Sequence, residues 1–151
     1  MRRYRQVVDR MISNQRGFTL VEIMIVCIII GVLAAIGIPN FLQMRSRAME
    51  AGVKANMHTV QLAMEDFAVH TVGVYPDDAA SVTHTGQTVE DLCPDGAYPV
   101  NPFTGVPTVV VWDADPANSG QIGISPATTS DYLIKGYGKD FMLMLELAPG
   151  R

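Results

Sequence analysis

From Leu20 to Ile38 run nineteen consecutive residues, all apolar or glycine except Glu22. As a helix rising about 1.5 Å per residue the run reaches roughly 28 Å, enough for a hydrocarbon core of about 30 Å. Arg2, Arg3, Arg5, Arg10 and Arg16 precede it, against the single acid Asp9. A basic start followed by an apolar run is an export and orientation signal, with the arginines kept in the cytoplasm. A secretory signal peptide would have a shorter apolar region and a small-x-small site at its far end. Here the far end reads AAIGIPNFLQ and its pattern continues as helix. The anchor is therefore expected to stay, with any cut on the cytoplasmic side. Glu22 is the anomaly, because a bare carboxylate deep in lipid costs about 2.5–3.5 kcal/mol on insertion scales.

At 151 residues the chain has room for one domain plus this anchor. After Gly17 it carries six basic and fourteen acidic side chains. That acidic balance argues against direct nucleic-acid binding, which needs clustered Lys and Arg. Of the two cysteines, Cys27 lies in the apolar run and Cys93 in the loop-like stretch LCPDG, so no disulfide framework is expected. Cys27 reads as a small apolar residue, and Cys93 as either a buried thiol or an unpaired exported one.

The spacing predicts one long helix from residue 18 to about 71. Val53, Val60 and Phe67 form a seven-residue series joined by Met57 and Met64, and Leu42, Met49 and Ala63 fall on a second grid interrupted by Asn56. This apolar stripe of helical period is expected to cover a sheet. Gly73 is the expected C-terminal stop. The stretch 73–106 reads as loop, rich in Pro, Asp, Gly and Thr. From residue 107 on, PTVVVWD, GQIGIS, DYLIKGYG and KDFMLMLEL read as antiparallel strands, with DADPANSG and PATTS as hairpin turns. The expected fold is α+β, a long N-terminal helix packed on an antiparallel sheet of about three to four strands.

The segment Gly17-Phe18-Thr19-Leu20-Val21-Glu22, with its apolar tract, resembles the processing motif of type IV prepilins and type II secretion pseudopilins. The likeness covers about the first 55 residues and continues more weakly through Val74–Pro76, Asn101–Gly105 and the YLIKGYGKD strand. It implies a leader at 1–17, a transmembrane and assembly helix at 18–39, its amphipathic continuation at 40–72, an αβ-loop at 73–106 and a sheet at 107–151, the pilin fold. It further implies cleavage by prepilin peptidase between Gly17 and Phe18, N-methylation of Phe18, and polymerisation through the helix on an inner-membrane assembly platform. The subunit would sit in the bacterial inner membrane, in lipid, before entering a periplasmic or extracellular homo-oligomeric filament.

Glu22 would pair with the Phe18 amine of a neighbouring subunit, so that its charge favours assembly over the isolated monomer and sets register. Thr19 would assist extraction from the membrane, or simply cap the helix. Gly31, Gly37 and Pro39 would weaken the helix, since Pro removes a backbone hydrogen bond and Gly costs about 1 kcal/mol relative to Ala. Many leaders in the family are shorter than seventeen residues, and a start at Met11 would leave seven.

Nothing in the sequence supports catalysis or a cofactor: GxSxG, HExxH and P-loop patterns are all missing. His58 and His70 lie about 120° apart around the helix and do not converge, and His84 is in the loop. Asp113 and Asp115 with Asn118 form a thin calcium candidate that reads more simply as a solvated turn. Three readings stay open: a pilus subunit, a secretion pseudopilin, and a membrane-tethered periplasmic binding domain that never polymerises.

Overall fold

A computed structural model describes residues 17–149. Apart from Gly17, the leader expected at 1–17, with the alternative start at Met11, lies outside the described residues. The chain forms two compact units, one ending at Leu42 and one beginning at Gln43. A single helix, α1 (Leu20–His70), contributes to both, as the periodicity predicted.

In the first unit the side chains of α1 from Leu20 to Leu42 are exposed almost without exception. Among the described residues α1 is the one helix long and apolar enough to cross a membrane. It continues through Pro39 without interruption. Proline has no N–H, so the carbonyl four residues earlier, at Ala35, loses its usual helical partner.

In the second unit α1 buries Val53, Met57, Val60, Ala63, Met64, Phe67 and Ala68. These residues recur at spacings of three and four, which places them on one face. The stripe is shorter than expected. Leu42, proposed as its first member, is 56% exposed, and burial begins at Val53. Asn56, which interrupts the pattern, donates through Nδ2 to the Val100 carbonyl (2.8 Å) and to Thr108 Oγ1 (3.3 Å). A polar side chain at that place ties the loop to the helix.

Four strands follow: β1 (Val110–Trp112), β2 (Ile122–Ala127), β3 (Tyr132–Tyr137) and β4 (Met142–Leu147). They lie in that order across one sheet. Burial alternates along β3, with Tyr132, Ile134 and Gly136 toward the core. Gly136 shows how closely helix and sheet approach, because a Cβ there would lie 2.5 Å from Met57 Sδ and 3.2 Å from Val53 Cγ1. Ile122, Ile124, Leu143 and Leu147 complete the core from the sheet, and Val89 and Cys93 from the loop.

The sheet is mixed, which corrects the expectation of an antiparallel one. β2–β3 and β3–β4 are antiparallel, but β1 pairs with β2 in parallel, Val110 opposite Ile122 and Trp112 opposite Ile124. DADPANSG is therefore a return path and not a hairpin turn. A three-residue strand is only about 10 Å long, and the residues between Trp112 and Ile122 can retrace that distance without a helix. The return lies against β2, where a Cβ on Gly123 would meet the Ala114 carbonyl and the Pro116 ring at 2.5 Å. Pro126 sits at the register shift between Ile124 and Ala127, the kind of place where a strand tolerates proline.

A partly buried cluster joins three segments. Glu65 of α1 accepts hydrogen bonds from Tyr132 Oη (2.6 Å) and Tyr75 Oη (3.0 Å). The two rings meet edge to face at 4.9 Å. Burial, and after it the neighbouring Glu65, raises both phenols above their ordinary range.

The helix ends one residue earlier than the glycine suggested. Gly73 N donates to the Ala68 carbonyl (2.7 Å), and Val72, with φ 59°, holds the left-handed position that glycine usually fills. A β-branched residue is strained there, and Val72 is 88% exposed, so little burial compensates. Val72→Gly is expected to stabilise the unit by about 1 kcal/mol, read as a higher urea midpoint at unchanged slope.

Candidate assembly site at the helix N-terminus

The first turn of α1 is built by four residues, Thr19 to Glu22. Thr19 precedes the helix and its carbonyl accepts from Ile23 N–H (3.3 Å). Its hydroxyl oxygen accepts from Glu22 N–H (3.2 Å), while Glu22 Oε2 accepts from Thr19 N–H (2.8 Å) and from the Thr19 hydroxyl (2.9 Å). This is a reciprocal capping box, which satisfies donors that a helix start otherwise leaves open. The positive end of the helix dipole also favours a carboxylate here.

Glu22 is thus not bare, as the sequence reading took it to be. It is held by its own chain, with one carboxylate oxygen occupied. Among the described residues no hydrogen bond reaches Oε1. The pairing was legible in the spacing Thr-Leu-Val-Glu, which is the capping-box pattern itself. Gly17 and Phe18 lie outside the helix and are exposed, Phe18 by 85%. Gly31 and Gly37 lie within the apolar stretch, each facing open space where a Cβ would be. The structure therefore brings Thr19 and Glu22 together beside Phe18, and leaves Gly31, Gly37 and Pro39 further along an unbroken helix.

The other candidates are occupied structurally. Asp113 Oδ1 accepts from Ala127 N–H (2.9 Å), and Asp115 Oδ1 pairs with Lys135 Nζ (2.8 Å). Among the described residues no three His, Cys, Asp or Glu side chains are grouped as a metal site. His58, His70 and His84 are exposed.

Cys93 is a buried thiol that donates to the Val89 carbonyl (3.4 Å). Burial, aided by the nearby Glu90, pushes its pKa up to about 11. The raised value favours the neutral thiol in the folded state. Its stabilising contribution is complete below the ordinary thiol pKa and is lost as pH rises through about 11. Urea midpoints are expected to fall over that window, and by less in Cys93→Ala than in the parent chain.

Residues 12–38 match the family model described as the prokaryotic N-terminal methylation motif. Over this segment the chain is similar to type IV pilins and to a type II secretion pseudopilin. Among its relatives is the type IV major pilin protein PilA of Myxococcus xanthus, 45% identical over 60 residues, which are 40% of this chain and 27% of that one. Another is the type IV narrow pilus major component PilA5 of Thermus thermophilus, 39% identical over 59 residues, or 39% of this chain and 51% of the relative. The type II secretion system core protein G of Klebsiella pneumoniae is 38% identical over 53 residues, or 35% and 38% of the two chains. The match therefore spans about a quarter to a half of these relatives' length. No solved structure matches. The prepilin-type segment and its apolar helix fit an inner-membrane precursor, and a helix on a four-stranded sheet is the expected α+β pilin-like fold.

Proposed function

We propose that this chain is a structural subunit of a type IV pilus-like filament. In this reading prepilin peptidase cuts between Gly17 and Phe18, Phe18 is N-methylated, and the subunit polymerises through α1 on an inner-membrane platform. The observation that carries the reading is a carboxylate, Glu22, fixed at the mouth of an otherwise apolar stretch of α1, Leu20 to Ile38, whose side chains are left largely exposed by the described residues. Cutting at Gly17 would free an amine at Phe18, one residue before the cap. Packed side by side at an axial offset, one subunit's Glu22 could reach the amine of the next.

The second unit adds support. The face of α1 turned away from its core carries Met44, Ala48, Ala51, Ala55, Leu62 and Val69, all exposed. The first four alternate spacings of four and three, and Leu62 and Val69 continue the series at intervals of seven, the repeat of a helix-packing seam. Gly31, Gly37 and Pro39 would serve as points where α1 can lose helix inside a filament under tension.

Mass spectrometry of the intact protein from sheared surface filaments, beside the membrane fraction, tests this. A chain beginning at N-methylated Phe18 in the sheared material is the expected result. The same chain confined to the membrane would favour a secretion pseudopilin, the reading to which the relative from Klebsiella pneumoniae points. An uncut leader in both fractions would favour a tethered domain that never polymerises.

A further inference from the structure

Two arginines follow the apolar part of α1 at once. Arg45 and Arg47 come one and three residues after Met44, and both are exposed. Among the described residues the ion pairs are His70–Asp66 and Lys135–Asp115, and neither arginine takes part. They stand about 3 Å apart along the helix axis but about 200° apart around it. A partner helix covers one side of a helix, whereas a headgroup layer surrounds it. Two guanidinium groups at one level on opposite sides suit a surrounding layer of phosphates, which arginine binds through paired N–H groups.

We propose that Arg45 and Arg47 bind anionic phospholipid headgroups at the far face of the membrane, and that loss of the leader makes them the anchor's main phosphate contact. The second clause rests on the processing reading above. Before cleavage the five leader arginines dominate the cytoplasmic side. Cleavage after Gly17 removes all five and leaves the Phe18 amine beside the Glu22 carboxylate, which cancel in charge. The surplus positive charge flanking the span then lies on its far side. A precursor held to the inner face becomes a subunit held to the face toward which it leaves.

The test uses the full chain in detergent micelles with equal amounts of phosphatidylglycerol and phosphatidylcholine, and native mass spectrometry reads the ratio of bound lipids. The background carries glutamine in place of Arg2, Arg3, Arg5, Arg10 and Arg16, so that the far pair acts alone whether or not cutting occurs. This chain is expected to prefer phosphatidylglycerol. Adding Arg45→Gln and Arg47→Gln should reduce the preference by about fivefold per arginine, roughly 25-fold in all. With the leader arginines restored and the leader intact, the same pair of substitutions should have little effect.

An unchanged preference in the doubly substituted background would overturn the assignment. So would equal retention of inorganic phosphate alone, which would mean a site for the free anion and not for a headgroup. The intact masses in these spectra show separately whether a chain expressed with its peptidase is cut. Failure of the processing reading is thus distinguishable from failure of the lipid site.

Discussion

Glu22→Gln is expected to abolish filaments while the second unit stays folded. Glutamine keeps an oxygen that can accept from Thr19 and so can preserve most of the capping box. It carries no charge to meet a neighbour's amine. Removing one member of an ion pair shielded from water costs about 3–5 kcal/mol, more than a hundredfold in an association constant. Glu22→Ala would lose the pairing and the cap together, the cap being worth about 1 kcal/mol. Thr19→Ala would lose the hydroxyl part of the cap alone, and should leave filaments thinner in number but present. The measurement is the ratio of sheared to membrane-retained protein for the three variants, with circular dichroism melting to confirm that the fold survives. Abundant filaments from Glu22→Gln would sink the pairing account, and would leave the carboxylate as a cap and nothing more.

Met57→Ala is expected to be the costliest single truncation in the second unit. The side chain is fully buried and lies where helix and sheet come closest, over Gly136. Truncating a buried methionine removes its transfer energy and leaves a cavity, about 2–5 kcal/mol together. At roughly 4 °C or more per kcal/mol, the melting temperature should fall by about 10 °C or more. Leu62→Ala on the opposite, exposed face should change stability by no more than about 0.5 kcal/mol in the monomer. The cavity also predicts a coupling. Gly136→Ala alone overpacks the contact and should cost about 1–3 kcal/mol, but much less once Met57 is alanine. Additive effects in that double-mutant cycle would mean that the two positions do not share the contact described.

The sequence made the helix legible because its signals are long and repeated. A lipid-length apolar run and a stripe through Val53, Met57, Val60, Met64 and Phe67 leave α1 little alternative. Burial alternation likewise marked β3. What escaped was set by pairing between segments. DADPANSG has the composition of a turn, and composition does not distinguish a hairpin from a return path that lays β1 parallel to β2. Leu42 fits the helical period, yet it is exposed, and burial along α1 begins only at Val53. The role of Glu65 was not legible, since nothing local announces two tyrosines from other segments. At the assembly site the residues were legible but their state was not. Glu22 was read as a charge awaiting a partner, although Thr19 stood three positions before it.

Among the described residues the methionines span the whole range of exposure. Met144, on the sheet's edge strand β4, is fully exposed, whereas Met57 and Met64 are fully buried. Thioether oxidation follows access, so dilute peroxide should add its first oxygen at Met144 with the core untouched. The buried pair would be oxidised only when the helix lifts from the sheet. The chain thus carries an internal clock for its own opening, readable peptide by peptide without any label.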